Sequence, residues 1–204
     1  MEEPPVLTDF GDRPDPLADY LSENYGILLG NDVVVDLDAA EMINQPFVAI
    51  SAQFSNHLIT ENMGNMATFF PTARSITLSE VSTSISQTSL ILTTERAWAE
   101  TDLATFMDST LQPDEGVDPF GPLILAVAVE NSTSGAKLVV FGDAEFPLDA
   151  NYDVYGNGML MLNTIDWAAG EEDLINLSSG TTTERYLNLS NPYLSGFVLL
   201  GSIV

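Results

Sequence analysis

The stretch Leu123-Ile-Leu-Ala-Val-Ala-Val129 decides the fold reading. A run of apolar residues with no polar interruption suits a strand covered on both faces. Asn131-Ser-Thr-Ser-Gly135 follows as a hairpin-type connection, and Lys137 to Phe141 reads as a second strand, antiparallel to the first. Gly142-Asp143 breaks that strand, and a polar loop runs through Asn157. Beyond it Leu160, Leu162, Ile165 and Trp167, with Met159 and Met161 beside them, predict a helix ending near Gly170. Buried strands interspersed with helices predict an α/β layered architecture with some antiparallel pairing.

Working upstream, Met1 to Pro16 holds four prolines and five acids and reads as an irregular lead-in. Leu17, Tyr20 and Leu21 share one face of a short helix that Gly26 terminates. Ile27 to Leu29 and Val33 to Val35, separated by Gly30-Asn31, form a β-branched run ending at Asp36. Phe47 to Ile50 and Met66 to Phe70 are further apolar runs, the first opened by Pro46 and the second closed by Pro71. Arg74 to Leu78 alternates as a half-buried strand does. Ser79 to Ser89 reads as an exposed connection, and Leu90 to Leu92 as another short strand.

The 204 residues make one domain, or at most two small ones, long enough to bury a core without a disulfide or metal. Acids outnumber cations 30 to 5, for a net charge of −25. Such a surface repels phosphate backbones and excludes nucleic-acid binding; it suits solubility, and its protein partners would present basic patches. The absence of cysteine excludes thiol nucleophiles, thiolate metal sites and disulfides, without fixing the compartment.

Met1-Glu-Glu-Pro-Pro5 has neither a basic nor an apolar leader region, which suits a cytosolic protein or a piece of a longer one. Tyr193 to Val204 runs twelve residues without a charge. As a helix it would reach about 18 Å, short of the roughly 30 Å hydrocarbon core, so it is either a buried terminal helix or part of a membrane helix.

Catalytic signatures are scarce. His57 is the single histidine, no Gly-x-Ser-x-Gly is present, and a turn histidine bonded to backbone is the expected role. The phosphate-loop pattern and the dinucleotide fingerprint are both absent, and the single lysine, Lys137, belongs to a strand. The best acidic cluster is Asp143, Glu145, Asp149, Asn151 and Asp153. Asp149-x-Asn151-x-Asp153 imitates the start of a calcium loop, but Val154 stands where the glycine belongs and Leu160 where the closing acid belongs. These three residues are a weak metal alternative, and no metal or other cofactor is expected. Trp167 is expected in the core, and Trp98 either caps the core or joins a recognition surface.

Four patches, in order, resemble the extracytoplasmic domain of the auxiliary component of gliding-motility-type ABC transport systems. They are Tyr25-Gly-Ile-Leu-Leu-Gly-Asn-Asp-Val-Val-Val-Asp36; His57-Leu-Ile-Thr60, where Leu58 replaces the usual proline; Leu90-Ile-Leu-Thr-Thr-Glu-Arg-Ala-Trp-Ala-Glu-Thr-Asp102; and Val139-Val-Phe-Gly-Asp-Ala-Glu-Phe146 with Gly156-Asn157 and Asn163-Thr-Ile-Asp-Trp-Ala-Ala-Gly-Glu-Glu-Asp173. The resemblance implies a glutamine-amidotransferase-like, Rossmann-like α/β fold: a mostly parallel central sheet with an antiparallel hairpin, flanked by helices, and incomplete at its N-terminus. It implies a domain over 17–190 after the lead-in 1–16, with 191–204 as the start of a truncated transmembrane helix. The domain would lie on the extracytoplasmic side of the cell membrane, beside ABC permease and ATPase subunits, without a catalytic apparatus of its own, binding or scaffolding an envelope protein or glycan. Gly142-Asp143 would end a central strand in a tight turn, Asn157 would cap the following helix, and Trp98 and Trp167 would anchor loops. A ligand crevice at the strand ends would be lined by Asp143, Glu145, Phe146, Asn157 and Trp98. Two alternatives stand beside this: a carboxylate-dependent or metal-assisted hydrolase of envelope glycans centred on Asp143 and Glu145, and a calcium-stabilised adhesion or structural domain.

Overall fold

The protein is described from a computed structural model covering residues 15–64, 66–102 and 112–175. Helix α1 (Pro16–Tyr25) starts where the Asp15 carboxylate accepts the Ala18 N–H, with proline in its first turn. It stops at Gly26, whose φ of 63° is left-handed. Strands β1 (Ile27–Leu29) and β2 (Val33–Asp36) follow, then α2 (Leu37–Ile43), which the Asp36 side chain caps and Asn44 ends. Next come β3 (Val48–Ser51), β4 (Gln53–Phe54), β5 (Thr68–Pro71), β6 (Ile76–Leu78), β7 (Ile85–Leu92) and β8 (Ala97–Glu100). The chain continues through β9 (Ile124–Asn131), β10 (Lys137–Phe141), α3 (Asp149–Tyr152), α4 (Asn157–Ala169) and α5 (Glu172–Ile175).

Strand β9 is the centre of the main sheet. β7 pairs along one of its edges, β10 and β6 share the other, β1 lies outside β6, and β4 lies outside β7. All of these pairings are antiparallel, as are the two separate ladders β2–β8 and β3–β5. The expected mostly parallel, glutamine-amidotransferase-like sheet is therefore not the fold, which is built mostly from antiparallel strands with few helices. The connections give the physical reason. The five residues 132–136 between β9 and β10 are too few for a parallel crossover of roughly a dozen residues or more, and β6 and β7 each run antiparallel to the β9 strand that lies between them.

The burial expected of β9 on both faces is present. Ala126 and Ala128 face a core with Phe70, Leu90, Phe141, Phe146, Leu160 and Trp167, while Val127 and Val129 face a second core with Leu21, Ile27, Ile76 and Val140. Leu21 of α1 thus covers one face of the sheet, and α4 covers the other. Double coverage makes a strand apolar throughout whatever the direction of its neighbours.

The Ser79–Ser89 stretch is a connection only to Ser84; β7 starts at Ile85 and carries Ser86, Gln87, Thr88 and Ser89 along its half-buried first part. Its partner β4 reaches only Ile91 and Leu92, so the first half of β7 is an edge where polar side chains are cheap. Most of the lead-in 1–16 and all of 191–204, including the expected membrane segment, lie outside the described residues. Among the described residues no helix is long and apolar enough to cross a membrane.

Candidate functional site

Four of the five residues expected around a crevice converge beyond the end of β10. Gly142 must be glycine there, because a Cβ would overlap the Arg74 carbonyl oxygen. The approach is fixed by hydrogen bonds from Arg74 N–H to Gly142 O (2.9 Å) and from Gly142 N–H to Leu125 O (2.9 Å). Asp143 turns the chain as its position predicts: Oδ1 accepts the N–H groups of Glu145 and Phe146. This drives Phe146 into the core, its ring 4.6 Å from Phe141 and 5.3 Å from Phe70 between centroids. Glu145 is half-buried, and its carbonyl accepts the Asn151 amide at 3.0 Å.

Asn157 does not play the expected capping role. The N-cap of α4 is Gly156, without a side-chain cap. The buried Asn157 amide instead accepts from Phe69 N–H (2.8 Å) and donates to the carbonyls of Phe69 (2.9 Å), Asn151 (3.1 Å) and Phe146 (3.2 Å). One side chain fastens β5, the turn after β10 and α3 together. Trp98 sits apart from this group, in the β2–β8 ladder opposite Val35. Its buried indole donates to Glu100 Oε2 at 3.2 Å, and Glu100 Oε1 accepts the Asp102 N–H.

The crevice expected at the strand ends depends on parallel strands whose order reverses, and an antiparallel sheet has no such switch point. The calcium-like residues do not alternate along a loop either. Asp149 and Asn151 lie in α3, and the Asn151 amide points back to Glu145 O. Among the described residues no three His, Asp or Glu side chains are grouped to hold a metal.

A second buried polar unit escaped the sequence reading. Arg74, only 1% exposed, donates from Nε to Gly30 O (2.6 Å), and its terminal nitrogens reach Asn31 Oδ1 (3.2 Å) and Asp15 Oδ2 (3.4 Å). Next to it, Asp32 receives Ser75 N–H and Ser75 Oγ–H, both at 2.7 Å. Burial pushes the Asp32 carboxyl above its ordinary range, against the pull of the two Ser75 bonds and the Arg74 charge. The only early signal was an arginine inside an alternating strand pattern in a chain with five cations.

This raised carboxyl gives a signed expectation. Its contribution to stability is fully present below the unfolded value of about 4 and is lost as pH rises through the higher folded value. In Asp32→Asn the amide oxygen can still accept Ser75 N–H while the NH2 donates to Ser75 Oγ. Urea unfolding at a series of pH values from about 4 to 7 should show the variant gaining on the native chain as pH increases. A difference that does not change with pH would refute the assignment.

His57 occupies the turn predicted for it, with Nδ1 accepting Ile59 N–H at 3.2 Å. Its ring meets Trp167 edge-on at 5.0 Å, and burial lowers its pKa. On the same indole the Lys137 ammonium lies 4.9 Å from the ring centroid and pairs with Glu172. Near the β9–β10 hairpin, a groove of about 280 Å³ is lined by Ser86, Glu130, Asn131 and Lys137 among others.

Neither a protein-family model nor a curated protein matches this sequence. In its motif patches the polar side chains of Asp143, Asn157 and Asn163 bond to the protein's own backbone.

Proposed function

We propose that this chain is a non-catalytic binding or scaffolding domain of the auxiliary subunit of an ABC-type transport complex, held on the extracytoplasmic side of the cell membrane. The order of the four patches, from Tyr25-Gly to Asn163-Thr-Ile-Asp-Trp167, supports the assignment. The antiparallel sheet is not the arrangement that the resemblance implied, so the reading rests on those patches rather than on the fold.

The observation that carries the holding role is the inward use of the last patch. Gly142, Asp143, Phe146, Asn157, Asn163 and Trp167 fasten the turn, helix α4 and the sheet into one body. Their chemistry goes into shape, and the outer surface of the same elements is left to meet a partner. Energy would come from a separate ATPase, since the chain has no phosphate-binding loop. The apolar residues 193–204 would lead into the membrane anchor.

The test is affinity purification of the tagged, full-length membrane protein in mild detergent. Stoichiometric recovery of an ABC permease and its ATPase is expected. Recovery of the protein alone, from membranes that contain both, would overturn the proposal.

A further inference from the structure

Helix α4 is apolar on two sides. Its inner side buries Leu160 and Trp167 against the sheet. Its outer side presents Leu162 (43% exposed), Ile165 (49% exposed) and the exposed Ala169. These follow the i, i+3, i+7 spacing of a helix-packing seam. A surface helix normally carries polar residues there, yet from Asn157 to Ala169 the one charged residue is Asp166.

Two further exposed leucines lie on elements that pack against α4. Asn163 donates to Ile59 O at 2.9 Å and ties the turn that carries the exposed Leu58 to α4. Leu174, also exposed, lies on α5, where the chain doubles back after Gly170. The borders are acidic. Glu61 follows the Leu58 turn, Asp166 lies on α4, and Glu171 and Asp173 follow it; residues 157–175 contain no Lys or Arg, and Lys137, which lies over the Trp167 ring, is paired with Glu172.

We propose that this face docks an amphipathic helix of a partner protein, one whose apolar stripe is flanked by Lys and Arg. A helix laid along Leu162, Ile165 and Ala169 would cover the seam, and its basic residues would meet Asp166 beside the seam and the acids that follow α4. A second copy would bring like-charged borders together in a protein of net charge −25, and an anionic lipid surface has the same wrong sign. The inference rests on the scaffolding role proposed above and gives that role a contact surface.

The probe is a fluorescein-labelled, 14-residue Leu/Lys peptide that segregates its leucines when helical. The control is a scrambled peptide of the same composition. Each is titrated with the full 204-residue chain at physiological salt. The amphipathic peptide should bind at least about tenfold more tightly than the scrambled one, and Leu162→Ser/Ile165→Ser should remove that preference. Unchanged far-UV circular dichroism and melting temperature would establish that the double variant is folded; if it is not, Ile165→Ser alone replaces it.

Equal binding of the two peptides, or an undiminished preference in the variant, would overturn the proposal. So would a native dimer in sedimentation velocity that the variant dissolves, since a second copy would then cover the seam. A preference that emerges only after residues 193–204 are deleted would also overturn it, because the chain's own segment would be the occupant. Peptide binding and co-purification are independent: permease and ATPase recovery with no peptide preference would remove the surface and leave the scaffolding role intact, and the reverse would do the opposite.

Discussion

Replacing Asn157 with alanine should lower the unfolding free energy by about 4 kcal/mol, among the largest effects of any single substitution in this chain. The amide makes one acceptor and three donor contacts, all to backbone groups, of Phe69, Phe146 and Asn151. Truncation leaves the Phe69 N–H and the carbonyls of Phe69, Phe146 and Asn151 without that partner in a site closed to water. Each such loss costs on the order of 1 to 3 kcal/mol, and the losses do not simply add. Asn157→Asp separates hydrogen bonding from packing, because it keeps the shape. An aspartate can still accept from Phe69 N–H, but it sets an oxygen against three carbonyls. Its destabilisation should match that of alanine at neutral pH and ease in acid, where the protonated carboxyl regains a donor. Urea unfolding followed by circular dichroism measures both variants. A cost below about 1 kcal/mol for Asn157→Ala would mean that the amide is not the fastening described.

The local punctuation of this fold was legible in the sequence. Gly26 and Gly170 end helices as predicted, both with left-handed backbone, and the Asn131–Gly135 hairpin joins the strands assigned to it. The tight turn at Gly142-Asp143 was legible too, because its hydrogen bonds span only two and three residues.

What failed was direction and distance. Leu123 to Val129 reports burial on two faces and says nothing about the direction of neighbouring strands; the parallel sheet came from the family resemblance, and the antiparallel ladders overturn it. The sequence leaves Trp98 open to capping the core or joining a recognition surface, and the fold buries it. In the fold Glu100 is buried and accepts the Trp98 indole N–H and the Asp102 N–H. Asn157 stood where a cap belongs. Two of its four contacts go to Phe69, 88 positions away, a relation that no local pattern encodes.

Arg74 presents the same difficulty in sharper form, since its partners Gly30 and Asn31 are 44 and 43 positions upstream. Arg74→Met should cost about 3 to 5 kcal/mol, the usual scale for breaking a buried charged unit by removing one member. The methionine would fill much of the volume, so the loss would fall on the Gly30 carbonyl, the Asn31 amide and the neighbouring Asp32 carboxylate. Arg74→Lys should recover only part of the stability, because an ammonium cannot reproduce the guanidinium fork that serves Gly30 O and Asn31 Oδ1 together. The pH dependence distinguishes lost charge from lost packing. Arg74 lowers the Asp32 pKa against the stronger effect of burial. Without it the carboxyl is pushed higher still, so the penalty of Arg74→Met should shrink as pH falls and Asp32 takes up its proton. Combining Arg74→Met with Asp32→Asn should then cost less than the two changes summed, by about 1 kcal/mol or more at neutral pH, and the discrepancy should fade in acid. Strict additivity at every pH would mean that the arginine holds Gly30 and Asn31 alone, with no electrostatic stake in the carboxylate beside it.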